Sequence, residues 1–147
     1  MSPQQADKES LHRLGAELLG TGHTIRITAS GYSMYPAIRQ GDIIEISPVE
    51  PGAALTPGEL IAIKRETDFI VHRFLGYFEK EGKRWLFTRG DSNLRPDRSV
   101  GEEALAGRVV TIIRGRRVWR NPLPRTNIHY RWNRLMVLVV QFLPITF

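Results

Sequence analysis

Gly31-Tyr32-Ser33-Met34-Tyr35-Pro36-Ala37-Ile38-Arg39-Gln40-Gly41-Asp42 is the stretch on which the reading of this chain turns. It sets one serine between two glycines, with a methionine directly after the serine and a proline two residues later. Gly31 and Gly41 tolerate backbone angles that other residues resist, so both suit tight turns. Pro36 fixes its own φ and pushes Tyr35 towards an extended shape. Ahead of the loop, His23–Ala29 alternates, with Ile25 and Ile27 on one face and Thr24, Arg26 and Thr28 on the other, which predicts a strand with His23 exposed at its start. A serine at this place sits on a bent, rigid loop that can present its hydroxyl to a cleft. Taken alone, such a loop is also what joins two ordinary strands.

Two later stretches add to it. Phe69-Ile70-Val71-His72-Arg73-Phe74 reads as a strand carrying a histidine, and Thr88-Arg89-Gly90-Asp91-Ser92-Asn93-Leu94-Arg95-Pro96-Asp97 as a polar turn carrying two aspartates. Each has a plain structural reading: a half-buried strand histidine, and a turn held by its own Asp and Asn side chains. Serine, histidine and aspartate in three well-marked segments are also the parts of an activated nucleophile. Residues alternate across a strand, so Ile70, His72 and Phe74 share one face and Val71, Arg73 and Leu75 the other.

The three boxes, in this order, resemble the type I signal peptidases, and among them the archaeal and endoplasmic-reticulum type that uses histidine as base. The matching residues are Ser33 in the G-x-S-M-x-P loop, Gly41-Asp42-Ile43-Ile44 after it, Val71-His72-Arg73, and Gly90-Asp91-Ser92-Asn93 with Asp97. Bacterial signal peptidases and the self-cleaving SOS repressors are similar, but place a lysine where His72 stands. The resemblance spans residues 25 to 113. It implies Ser33 as nucleophile, His72 as base, and Asp97 ahead of Asp91 as the carboxylate that orients the histidine. It makes Gly31, Met34 and Pro36 the framework of the oxyanion loop. Many relatives carry a second serine two positions before the nucleophile as an oxyanion donor; Gly31 occupies that position here. The implied substrate is an extended peptide of a precursor or leader that adds to a strand edge in the cleft, with small residues before the cut, and is cleaved through a Ser-His-Asp acyl-enzyme. The competing reading is a peptide-binding or regulatory module on the same fold. A self-cleaving regulator is disfavoured by the absence of a helix-turn-helix ahead of the boxes and of a lysine at position 72.

The fold class that follows is mainly β: an antiparallel catalytic core of the signal-peptidase and SOS-repressor kind, with an N-terminal helix and a C-terminal amphipathic helix. Three segments are expected, a helical one over residues 1–22, the β catalytic domain over 23–120 and a basic amphipathic helix within 121–147. Residues 1–6 read as disordered. Asp7 is placed to cap a helix to about Leu19, with Leu11, Leu14, Leu18 and Leu19 as its apolar stripe packed on the domain, and Gly20 and Gly22 stop it. Strands are expected at 43–47, 60–64, 69–77, 84–88, 107–114 and 116–120. Those from 60 to 88 form a three-stranded meander with His72 on its central strand. Asp42 is read as a turn residue that anchors the serine loop.

Charge is placed unevenly along the 147 residues. Residues 1–103 hold all 15 acids and 13 of the 21 basic residues, a net of −2, while residues 104–147 hold eight arginines and no acid, a net of +8. Ile128, Trp132, Leu135, Met136, Val139, Val140 and Leu143 recur at helical spacing over about 126–142, beside Arg125, Arg131 and Arg134. Such a helix suits an anionic membrane surface, or packing on its own domain or on a second copy of the chain. Nucleic acid ranks after these, because no binding motif accompanies the arginines. There is no cysteine, and His12, His23, His72 and His129 are scattered, so no metal and no cofactor is expected. The first 22 residues have no apolar run, and the apolar tail is shorter than the roughly 20 residues a span requires. The expected location is cytoplasmic, peripheral on a membrane, unlike the relatives with an N-terminal anchor.

Overall fold

A computed structural model describes residues 2–50, 52–66, 68–122 and 135. The expected C-terminal helix lies outside them but for Leu135. Helix α1, Pro3–Gly20, begins ahead of the expected start at Asp7. The reason is a capping box: Ser2 Oγ accepts from the Gln5 N–H while the Gln5 side chain accepts from the Ser2 N–H. Pro3 follows at the first helical position, where its missing N–H costs nothing. The expected packing face of α1 is also corrected. Leu11, Leu14 and Leu18 are exposed and only Leu19 of the four leucines is buried. The face against the sheet is formed by His12, Gly15, Ala16 and Leu19, and α1 can sit there because Gly15 has no side chain. A Cβ at Gly15 would stand 3.3 Å from both Ile25 and Phe69.

Among the described residues eight strands follow: β1 Ile25–Thr28, β2 Ile43–Pro48, β3 Leu60–Lys64, β4 Phe69–Lys80, β5 Lys83–Arg89, β6 Val100–Gly101, β7 Leu105–Arg114 and β8 Arg117–Arg120. They form one antiparallel sheet in the order β1-β2-β7-β3-β4-β5-β6, with β8 paired to β7. The meander β3-β4-β5 and the hairpin β7-β8 are the pairings expected from sequence. The two-residue strand β6 and the central place of β7, between β2 and β3, are not legible in local patterning. Register shifts on β2–β7, β3–β7 and β4–β5 mark bulges, which bend the strands and curl the sheet.

Strand β3 shows why the sheet has two packed sides. Leu60 and Ala62 join one apolar cluster with Ile25, Ile44, Ile46, Val109 and Ile112, whereas Ile61 and Ile63 join a second with Leu55, Phe74 and Leu86. A strand buried on both faces reads as a continuous apolar run rather than an alternation, and Leu60-Ile61-Ala62-Ile63 is such a run. Full burial of each large aliphatic side chain contributes about 1.5–3 kcal/mol.

Candidate active site

The loop from Ala29 to Asp42 is closed at its neck and pinned at its middle. Ala29 N–H donates to the Asp42 carbonyl at 2.7 Å, and Gly41 N–H returns a bond to the Ala29 carbonyl at 2.9 Å. Gly31 and Gly41 have φ of 85° and 88°, the left-handed region that glycine enters without strain. Met34 and Ile38 are buried in the first cluster and fix the loop to the core. Pro36 follows Tyr35 in the turn between them, across a cis peptide bond. Asp42 anchors the loop as expected and does so with side-chain partners too. It accepts from the Arg39 N–H at 2.8 Å and from the Arg114 guanidinium at 2.8 and 2.6 Å, and Arg114 also reaches the Ala37 carbonyl. Burial works to raise the Asp42 pKa, but the hydrogen bonds from Arg114 and Arg39 and their charges outweigh it, and the carboxyl lies below its ordinary value.

Ser33 stands at one end of a hydrogen-bonded chain. Its Oγ is 3.1 Å from Nε2 of His72, and Nδ1 of His72 is 2.5 Å from Oδ2 of Asp97. His72 is buried, whereas the Asp97 side chain is 26% exposed. An ionised Asp97 only accepts, so Nδ1 carries the proton, and Nε2 is left to accept from the Ser33 hydroxyl. The same Asp97 oxygen accepts from the Thr88 hydroxyl at 2.7 Å, and the Asp97 N–H donates to the Thr88 carbonyl at 2.9 Å. Thr88 thus holds both ends of the aspartate.

Asp91 has a different position. Both its oxygens accept from Arg73, at 2.7 and 2.6 Å, and Arg73 donates a third bond to the Gly58 carbonyl at 2.7 Å. Arg73 and Asp91 are fully buried, which makes this a two-pronged pair with its geometry satisfied. Register explains the split. His72 pairs with Ile61 and Arg73 with Leu60, so the two neighbours leave β4 on opposite sides. Thr88 pairs with Phe74 and shares the His72 side, while Arg89 pairs with Arg73. The turn after β5 meets both: Asp91 goes to the arginine and Asp97 to the histidine. Between them Ser92 ties this turn to the serine loop, its N–H donating to the Ser33 carbonyl at 2.9 Å and its hydroxyl to the Tyr32 carbonyl at 2.6 Å.

The structure therefore brings Ser33, His72 and Asp97 together, sets Asp91 against Arg73, and builds the loop on Gly31, Met34 and Pro36. Sequence assigned no role to Thr88, Ser92, Arg73 or Arg114, although the first three lie within the quoted stretches. Strand alternation offered one signal: Thr88, last in the strand expected over 84–88, falls on the histidine's side of the meander. Ser92 and the two arginines depend on contacts across long sequence separations. Among the described residues no group of three or more His, Cys, Asp or Glu is placed to hold a metal ion.

A family model described as Peptidase S24-like matches residues 2–110. The chain belongs to the Peptidase S24-like family. The matched region runs from α1 into β7 and takes in every residue of the hydrogen-bonded chain as well as the Arg73–Asp91 pair. Membership in the S24-like family carries a serine-peptidase type of fold, in keeping with the antiparallel sheet and N-terminal helix seen here. No curated protein matches the chain. Among the described residues no helix is long and apolar enough to cross a membrane.

Proposed function

We propose that the chain is a serine endopeptidase that cuts a precursor or leader peptide in the manner of the signal peptidases with a histidine base. The observation that carries this reading is the Ser33–His72–Asp97 hydrogen-bonded chain. As Ser33 Oγ attacks the peptide carbonyl, its proton passes to His72 Nε2. Asp97 keeps the imidazole in the tautomer that accepts there and offsets the charge that forms. His72 then gives the proton to the leaving amine, and in a second round takes one from the water that frees the acyl group. The Ser33 backbone N–H is the oxyanion donor assigned to the loop. The basic segment 121–147 would hold the enzyme at an anionic, cytoplasmic membrane face; equal liposome binding with and without residues 121–147 would remove that part.

A second reading, a peptide-binding module with little or no turnover, draws on Gly31. With φ of 85° this position suits glycine, and a serine there would be strained by about 1–2 kcal/mol, so the side-chain oxyanion donor of many relatives has no ready place. Loss of one such donor typically costs about 10²–10³ in rate. A serine-directed acylating probe separates the two. The enzyme reading expects labelling of the wild type and none of Ser33→Ala or His72→Ala; an unlabelled wild type, or labelling that persists in either variant, leaves only the binding module.

A further inference from the structure

Ser33 has a peptide group on each side, and Ser92 holds both from their carbonyl ends. The Ser92 hydroxyl donates to the Tyr32 carbonyl at 2.6 Å, and the Ser92 N–H donates to the Ser33 carbonyl at 2.9 Å. Ser92 is brought there by a tight turn in which the Asn93 N–H donates to the Gly90 carbonyl at 3.0 Å. The approach needs a glycine at position 90, because a Cβ there would stand 2.8 Å from the Ser33 carbonyl oxygen. The Tyr32 carbonyl takes a second bond, from the Tyr35 N–H at 3.0 Å, so both its lone pairs are used. A peptide group is planar, and its C=O and N–H point opposite ways across the trans bond. Two donors on the Tyr32 oxygen therefore fix the plane that carries the Ser33 N–H. That N–H has no acceptor among the described residues.

We infer that Ser92 is a positioning residue for the oxyanion: through the Tyr32 carbonyl it aims and polarises the Ser33 N–H, which receives the charge that develops on the substrate's carbonyl oxygen. This deepens the peptidase reading and rests on it. Hydrogen bonds in series strengthen one another, so a donor on the carbonyl makes the N–H across the same peptide a better donor. A donor held in place before the reaction needs no reorganisation when charge appears. The Ser92 bonds go to the backbone of the serine loop and not to His72 or Asp97, so the hydroxyl acts on the oxyanion donor and leaves the basicity of the histidine alone. Ser92 is also exposed, so its hydroxyl can be removed with little effect on stability.

The test uses the full-length chain and a fluorophosphonate, whose phosphoryl oxygen takes up negative charge as Ser33 attacks the phosphorus. Labelling is followed against probe concentration, to separate the maximal rate from the half-saturating concentration, and against pH. The proteins are the wild type, Ser92→Ala and Ser92→Thr. Ser92→Ala keeps the N–H on the Ser33 carbonyl and loses only the hydroxyl. Its maximal rate should fall by about 10- to 100-fold, short of the roughly 10²–10³ that removal of a whole donor costs. Half-saturation, the pH midpoint and the melting temperature should stay as in the wild type, and Ser92→Thr should restore the rate. A second readout needs no reaction: in proton–nitrogen NMR spectra the Ser33 amide signal should move in Ser92→Ala and return in Ser92→Thr. If the wild type is labelled on Ser33 and Ser92→Ala reacts as fast, changes only half-saturation or the pH midpoint, or is not matched by recovery in Ser92→Thr, the inference is overturned and the peptidase reading stands. An unmoved Ser33 amide signal in Ser92→Ala overturns it as well, because no change has passed through the Tyr32 peptide. If the wild type is not labelled on Ser33, the peptidase reading falls and the oxyanion role falls with it.

Discussion

Asp91 and Asp97 lie in one turn, six residues apart, and meet neighbouring residues of the same strand, yet they are set up for opposite tasks. Asp91 is sealed from solvent in a two-pronged pair with Arg73 and has no access to a reacting group. Asp97 is partly open to water, shares one oxygen between His72 and Thr88, and faces the nucleophile's side. The difference comes from the alternation of β4: a histidine on one side and an arginine on the other require one acid each. It teaches that in a compact turn the partner across the sheet, more than the spacing along the chain, decides which carboxylate can serve chemistry and which serves the fold.

The largest effect that could break this contrast is on rate. On the peptidase reading, Asp97→Asn should slow peptide cleavage by about 10⁴, because the amide cannot hold His72 in the accepting tautomer. Its melting temperature should stay close to that of the wild type, since the side chain is partly solvated; a large drop in melting temperature would give Asp97 the role assigned to Asp91. Asp91→Ala should do the reverse and destabilise the fold by about 3–5 kcal/mol in chemical denaturation, leaving a buried guanidinium without its charge partner. The double change Arg73→Met with Asp91→Leu should recover most of that loss. If Asp91→Ala unfolds at the same denaturant concentration as the wild type, the buried pair is not what holds the turn.

Asp42 is a third aspartate and tests whether burial with an arginine is a structural signature here. Its folded pKa is below the ordinary 3.8, so its contribution to stability is complete above that pH and is lost as pH falls through the depressed folded value. Asp42→Asn should therefore be less stable than the wild type by about 1.5–3 kcal/mol at neutral pH. The gap should persist down to about pH 4 and close below it. A gap that widens on acidification would contradict the assignment. The smallest effect is at Thr88. Thr88→Val removes one hydrogen bond from Asp97 and should cost about 1 kcal/mol. It should also lower kcat with KM little changed, and Thr88→Ser should restore both.

The three boxes and most strands were legible in the sequence because each depends on local signals. The glycines of the serine loop, the alternation of 25–28 and the continuous apolar run at 60–63 all act within a few residues. Helix α1 was misread twice for identifiable reasons. Its true start is the capping box Ser2–Gln5, a signal present in the sequence but passed over for Asp7. Its packed face was assigned to the leucines, whereas the sheet selects the side where Gly15 permits close approach, and three leucines face outward. The resemblance ranks Asp97 ahead of Asp91, but the physical reason for that order was not legible. It depends on Arg73, adjacent to the histidine in sequence but opposite to it in space, and on Thr88, whose hydroxyl meets Asp97 across the turn that follows β5.

The most direct test of the account is the rate at which a fluorophosphonate modifies the wild type and Asp97→Asn, with the modified residue located by mass spectrometry. The account predicts a single adduct on Ser33 and a reaction slower by at least about 10³ in the variant, at an unchanged melting temperature. An adduct elsewhere, or equal rates in the two proteins, would contradict it.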